Sequence, residues 1–206
     1  MYLPKQFEAP EHAWTLIRQH PLGQLISVDA QGLPMLSWLP MHIDVLPEGD
    51  APASLLGHLA KANPHVDLLH HAPQATLVFT GPHAFMPTTV YKDTLRVPTW
   101  SYLVVVLRVR AQRLEGEAAK DALLKQLIGD HHPPYAQQWR GLPNDYTERM
   151  LEAIEAYHFE VLEVKTKFKL NQHRKESHAA MHALYEQGSE AERELAQWMK
   201  TLGMVG

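Results

Sequence analysis

The sequence predicts a mainly β protein of the α+β class, a small closed antiparallel barrel of six or seven strands with peripheral helices. Three observations carry this expectation. Short apolar or alternating runs, bounded by Gly, Pro, Asn and Asp, recur along the first 170 residues. Few helical patterns separate them, so the strictly alternating βα units of a doubly wound sheet are missing. Paired helical patterns close the chain after Asn171. The expected division is a barrel domain over 1–170 and a C-terminal helical extension over 171–206, packed on the barrel.

Pro10 to His20 reads as a short helix with Trp14, Leu16 and Ile17 as its apolar residues and Pro21 and Gly23 as its stop. Leu22 to Val28 is the first strand. Asp29-Ala30-Gln31-Gly32 is a hairpin turn, and Leu33 to Ile43 returns as the second strand. Pro47 to Pro52 is a polar turn before a third strand, Ala53 to Leu59. A helix from Asn63 toward His71 precedes a fourth strand, Ala75 to Thr80, that Gly81-Pro82 ends. Pro87 to Pro98 is a long loop of the kind that is often functional. Trp100 to Leu114 is the strongest strand signal, and its Leu103–Leu107 centre reads as buried on both faces. Gly116 to Ile128 and Asn144 to Tyr157 are helices. Phe159 to Leu170 alternates, with Leu162, Val164, Phe168 and Leu170 on one face and Lys165, Lys167 and Lys169 on the other. Asn171 to Glu186 and Ser189 to Leu202 are the last two helices.

Composition limits the function classes. Apolar residues make up 45% and charged residues 20% of the 206 positions, as in an ordinary globular protein. No run reaches the roughly 18 apolar residues that span a bilayer, and the N-terminus lacks the pattern of a secretory signal. With no cysteine, thiolate metal sites, disulfides and cysteine nucleophiles are excluded. A cytoplasmic protein without membrane contact is expected. The net charge of −4 gives no bulk attraction for nucleic acid. The 14 histidines include one i, i+4 pair, His178 and His182, without the glutamate or third ligand of a zinc helix, so no metal site is expected. No Gly-x-Ser-x-Gly elbow, phosphate-binding P-loop or dinucleotide glycine pattern is present, and no catalytic residue can be named.

The most informative stretch is Gly57-His58-Leu59-Ala60-Lys61-Ala62-Asn63-Pro64, where a buried strand runs into a helix. Gly57 permits a close approach of backbone or ligand. Asn63 caps the helix and Pro64 suits its first position. The positive helix end together with Lys61 suits a phosphate. A capped helix beside a solvated lysine is the alternative reading.

Four blocks in order resemble one family: Met1-Tyr2-Leu3-Pro4-Lys5 with Phe7; the Gly57–Pro64 stretch; Gly81-Pro82-His83-Ala84 followed by Val97-Pro98-Thr99-Trp100-Ser101-Tyr102; and Lys169-Leu170-Asn171-Gln172-His173-Arg174. The chain resembles the PaiB family, FMN-binding proteins often described as negative transcriptional regulators. The resemblance implies a split β-barrel, FMN as cofactor, and a homodimer with flavin at the subunit interface. It departs from the family at Asn171, where relatives have serine, and at His173, where they have asparagine. Thr89-Val90-Tyr91 also stands where relatives carry a Ser-Trp-Tyr-like run.

On this resemblance the expected cofactor-binding residues are Leu39, Pro40, His58, Lys61, Asn63, Trp100, Lys169, Gln172 and Arg174. Lys61 and Asn63 would serve the phosphate. Leu39 and Pro40 read equally as core and edge-strand residues, and His58 as barrel filling or a flavin contact. Trp100 shares a strand face with Tyr102, which suits packing, a dimer interface or flavin stacking. Lys169, Gln172 and Arg174 lie at a strand-to-helix junction, as a solvated basic end or a second phosphate contact. DNA binding would rest on Lys165, Lys167, Lys169, Arg174 and Lys175, but the final helix begins with Glu190, Glu192 and Glu194, which repel phosphates. A flavin-dependent oxidoreductase of the same barrel class is the alternative function.

Overall fold

The computed structural model describes residues 1–48 and 52–206 and contains one seven-stranded sheet in the order β2-β1-β5-β6-β7-β4-β3. Its strands are β1 (Leu22–Val28), β2 (Pro34–Pro40), β3 (His42–Val45), β4 (Ser54–Ala60), β5 (Gln74–Met86), β6 (Thr99–Arg113) and β7 (Ile154–Lys169). The helices are α1 (Ala13–Gln19), α2 (His65–His71), α3 (Glu117–His131), α4 (Tyr135–Arg140), α5 (Asn144–Glu152), α6 (His178–Glu186) and α7 (Glu190–Thr201). None is long and apolar enough to cross a membrane among the described residues. The chain divides into two compact units. A barrel unit comprises residues 20–79 and 106–164, and a terminal unit comprises 1–19, 80–105 and 165–206. The expected polar turn from Pro47 to Pro52 falls in part on 49–51, outside the described residues.

In the barrel unit the hairpin forms as the sequence predicts. The Asp29 carboxylate accepts hydrogen bonds from the Gln31 and Leu33 amides, and β1 pairs with β2 from Leu22↔Pro40 to Val28↔Pro34. The second strand differs from expectation, because it breaks at Met41 into β2 and β3. The two pieces lie at opposite ends of the strand order, yet Pro40 and His42 are only two residues apart. Two Cα steps reach at most about 7.6 Å, so the sheet is rolled until its edges almost meet. The ladder does not close: the barrel is split, as the family resemblance implies, and not closed, as strand number and spacing alone suggest. Pro34 and Pro40 begin and end the edge strand β2, where a missing N–H costs no ladder bond.

Met41 is the pivot of this arrangement. Its amide donates to Pro21 O at 2.9 Å, and its side chain is buried in the barrel. Gly57 makes room for it, since a Cβ there would lie 2.7 Å from Met41 Sδ. The close approach at Gly57 is therefore by a core side chain and not by a ligand. Leu123 and Leu127 of α3 pack on Ala156, with Leu56, Leu114 and Leu124 around them. Glu155 is buried and receives both Arg113 Nε (2.8 Å) and Nη2 (3.1 Å).

The terminal unit packs α1, α6 and α7 with parts of β5, β6 and β7. Phe168 meets Trp198 edge to face at 5.2 Å, and the buried Tyr185 hydroxyl donates to Ser101 Oγ at 2.8 Å. Burial pushes the Tyr185 phenol up to about 12. Strand β5 does not end at Gly81-Pro82 but runs on to Met86. Gly81 belongs inside it because a Cβ would come 2.6 Å from Leu16 Cδ1.

Four further expectations are corrected. Strand β6 buries one face only: Ser101 to Ala111 are buried at odd positions, whereas Val104 and Val106 are half-exposed. Strand β7 starts at Ile154, because α5 stops at Glu152. Its buried positions also change parity along its length. Glu155, Tyr157, Phe159 and Val161 are buried in the barrel unit, and Thr166, Phe168 and Leu170 in the terminal unit. Leu162, expected in the core, is therefore exposed. Finally, 171–174 is a turn, and the helix expected from Asn171 begins at His178 after a short 3-10 turn. Asn171 has φ 64°, a left-handed conformation that a helix cannot continue through.

Candidate functional site

Five of the nine expected residues lie in the barrel unit. Leu39 is buried and Pro40 half-buried, both on β2, whose free edge presents backbone donors and acceptors. His58 stands on β4 with its Nδ1 buried and without a hydrogen-bond partner. Burial lowers its pKa, which keeps the imidazole neutral at pH 7. Lys61 follows β4 with its amide bonded to Ala153 O at 2.8 Å and its side chain exposed. Asn63 Oδ1 accepts from the His65 amide at 2.9 Å while its Nδ2 donates to Ser37 Oγ at 3.2 Å. The asparagine thus caps α2 as the sequence predicts, with Pro64 in helical conformation ahead of it.

Behind this turn His65 is fully buried, with Nδ1 3.0 Å from Ser37 Oγ and Nε2 2.9 Å from Ser27 Oγ. Burial lowers its pKa as well. Ser37 therefore links Asn63, His65 and strand β2, and fixes the start of α2 against the sheet. The sequence reading missed this triad because its members come from three separate elements.

The other four residues lie in the terminal unit. Trp100 is exposed and packs with His83 (5.6 Å between ring centroids) and Phe85 (6.3 Å). Gln172 is engaged by its own turn: Oε1 accepts from the Leu170 amide at 2.9 Å, and Nε2 donates to Phe168 O. Lys169 Nζ donates to Thr99 Oγ1 and lies 5.8 Å from the centroid of the Tyr102 ring. Lys169 and Arg174 both line a cavity of about 630 Å³.

That cavity adds residues outside the nine expected for the cofactor. Arg96, Tyr91 and Thr94 come from the long Pro87–Pro98 loop, Phe7 from the N-terminal block, and Asn171 and His173 from the last block. Loop length was the available signal for the first group. Asn171 Nδ2 donates to Tyr91 Oη (3.0 Å) and to Ser177 Oγ (2.9 Å), so two positions near the family departures meet in one network. Val90, in the middle of the Thr89-Val90-Tyr91 run, is buried. The pKa of His173 is lowered first by burial and then by the charge of Arg174.

The rolled, open sheet with consecutive edge strands defines a split-barrel protein, and solved structures share it. The flavocytochrome Anf3 of Azotobacter vinelandii aligns with TM-score 0.59 and 16% identity, covering 80% of this chain and 69% of that one. A structure described as a putative 5-nitroimidazole antibiotic resistance protein of Bacteroides thetaiotaomicron aligns with TM-score 0.56 and 12% identity, covering 78% and 84%. Residues 1–163 match the family described as "Putative FMN-binding domain". The chain belongs to this family, the PaiB-type FMN-binding proteins that its four sequence blocks resemble. Among curated relatives, "Protease synthase and sporulation protein PAI 2" of Bacillus subtilis is 27% identical over 180 residues, covering 86% of this chain and 84% of the relative.

The barrel-unit residues fit FMN chemically. The buried His58 Nδ1 has no hydrogen-bond partner within the chain and is free to take one from a ligand, and Lys61 supplies an exposed cation three residues on. Bound flavin supplies one- and two-electron redox chemistry.

Proposed function

We propose that this protein binds FMN through the β4–α2 turn of the barrel unit, as a split-barrel protein of the PaiB type. The observation that carries the reading is the orphaned, buried His58 Nδ1 next to the exposed Lys61. Lys61 takes the phosphate, aided by the capped start of α2 around Asn63. His58 meets a polar edge of the flavin, and the backbone of Leu39 and Pro40 on the free β2 edge lies along the ring system. The Lys61 side chain is exposed and its backbone bond to Ala153 does not depend on it. Lys61→Ala is therefore a clean probe. Purified protein takes up FMN with quenching of flavin fluorescence, and the variant binds about 10-fold more weakly, the loss of one charge-assisted contact. No uptake by the parent protein at millimolar FMN removes the reading.

The same proposal includes a homodimer in the cytoplasm. Support comes from exposed apolar side chains on sheet strands: Leu36 and Trp38 on β2, and Phe85 and Trp100 on β5 and β6. Such surface is usually covered by a second copy. Light scattering of Trp38→Ser and Trp100→Ser, which should shift the protein toward monomer, tests this. Any regulatory role runs through ligand or partner binding. Glu190 and Glu192 occupy the first turn of α7, the position from which a recognition helix reads DNA. A salt-dependent gel shift would reverse that assignment. Reduction of bound flavin by NADH or NADPH separates the oxidoreductase alternative from a non-catalytic binder.

A further inference from the structure

The cavity of the terminal unit has the composition of a second site. Its lining holds three basic side chains, Arg96, Lys169 and Arg174, and no carboxylate. The nearby acids are already engaged: Asp93 lies 2.8 Å and Glu176 3.8 Å from Arg96 Nη2. Even so, Arg96 Nε is buried with no hydrogen-bond partner. A buried guanidinium N–H is rarely left without an acceptor in a finished site. The Arg96 guanidinium is also held 5.3 Å from the Tyr91 ring centroid, and Tyr91 is tied to Asn171 and Ser177. The donors are therefore preorganised. Lys169 is held by Thr99 Oγ1 and the Tyr102 ring, and neither neutralises its charge.

The walls decide what kind of anion fits. Phe7, Leu95 and Val97 form an apolar side of the cavity, with Leu95 89% and Val97 77% exposed. Apolar side chains left this open gain stability from an apolar body laid against them. A volume of about 630 Å³ is that of a small-molecule pocket, far larger than one inorganic ion needs.

We propose that this cavity is a binding site, separate from the flavin site, for a small organic anion: a carboxylate or phosphate monoester carried on an apolar or aromatic body. The acid group is held by Lys169, Arg174 and the Arg96 guanidinium, and the body by Phe7, Leu95 and Val97. This assignment rests on the reading that FMN binds at the β4–α2 turn, and it gives Lys169 and Arg174, which the family resemblance implied for the cofactor, to a second ligand.

Calorimetric titration of the full chain, with and without FMN, uses phenyl phosphate, benzoate and inorganic phosphate as probes and benzyl alcohol as the neutral control. At least one of phenyl phosphate and benzoate binds at one per chain and more tightly than inorganic phosphate, and benzyl alcohol does not bind. The stronger of the two shows whether the site prefers a dianion or a monoanion. Lys169→Gln and Arg174→Gln each weaken the preferred probe about 10-fold or more. Arg174→Lys restores part of the loss, and Lys61→Ala leaves probe affinity unchanged. Three outcomes overturn the proposal: neither organic anion binds at about 10 mM, an affinity too weak for a built site; binding survives both glutamine variants; or the probe and FMN displace each other. Flavin fluorescence reads the FMN site independently, so a failed flavin reading and a failed anion site give different results.

Discussion

The two units treat charge in opposite ways. In the barrel unit the buried ionisable groups are matched or neutral. Glu155 holds a two-point contact with Arg113, and Lys120 Nζ lies 3.8 Å from it. His65 sits uncharged between two serine hydroxyls. In the terminal unit three cations converge on one cavity without a carboxylate in its lining. A buried charge is tolerated when its partner is fixed beside it, so the first arrangement serves stability. Arg96 is paired with Asp93, but no carboxylate lines the cavity beside Lys169 and Arg174, whose charges favour an entering anion, so the second arrangement suits binding.

That contrast can be broken most directly at Arg113. Arg113→Met leaves the Glu155 carboxylate buried without its main partner and should lower unfolding stability by about 3 kcal/mol, read by urea denaturation. A loss below about 0.5 kcal/mol, the level of an ordinary surface pair, would erase the difference between the units. Asn171 gives the next largest effect. Its φ of 64° favours glycine over alanine, so Asn171→Ala should be less stable than Asn171→Gly by about 1 kcal/mol, both having lost the same side-chain hydrogen bonds. Equal stabilities would mean that the turn relaxes out of the left-handed region.

The histidines set a pH dependence. His65 and His58 both have pKa values lowered by burial from the ordinary 6.5. The unfolded chain therefore binds protons that the folded one refuses, and stability falls as pH drops below 6.5 toward the folded pKa values. His65→Asn should flatten this acid slope in pH-dependent denaturation; an unchanged slope would assign it to other groups. The smallest effect belongs to the cavity. Lys169→Gln and Arg174→Gln should each change stability by no more than about 0.5 kcal/mol, although each reduces anion affinity.

Features that depend on near neighbours were legible in the chain. The Asp29–Gly32 turn, the Asn63 cap and the Ser189 start of α7 each involve residues within four positions. At Ser189 a full capping box forms, with Glu192 returning the hydrogen bond. The flavin-binding family was legible too, because its four blocks keep their order and spacing whatever the tertiary contacts. Boundaries set by packing were not legible. Met41 breaks the segment expected as one strand because the sheet turns a corner there. Gly81-Pro82 fails to end β5 because Leu16 occupies the space a side chain would take. Strand β7 alternates cleanly along Phe159 to Leu170, yet its buried face changes between Val161 and Thr166.

By itself the sequence determined the class of fold, the hairpin, the caps, the family and the chemical types that an FMN site needs. Those follow from short-range hydrogen bonding, side-chain periodicity and motif order. Only the tertiary structure decided that the second strand breaks at Met41, that Gly57 serves Met41, and that His58 Nδ1 is left without a partner. It also decided that Phe7, Arg96, Lys169 and Arg174, from distant parts of the chain, face one cavity. These outcomes depend on which residues exclude water from which atoms, a property of packed neighbours that sequence separation does not encode.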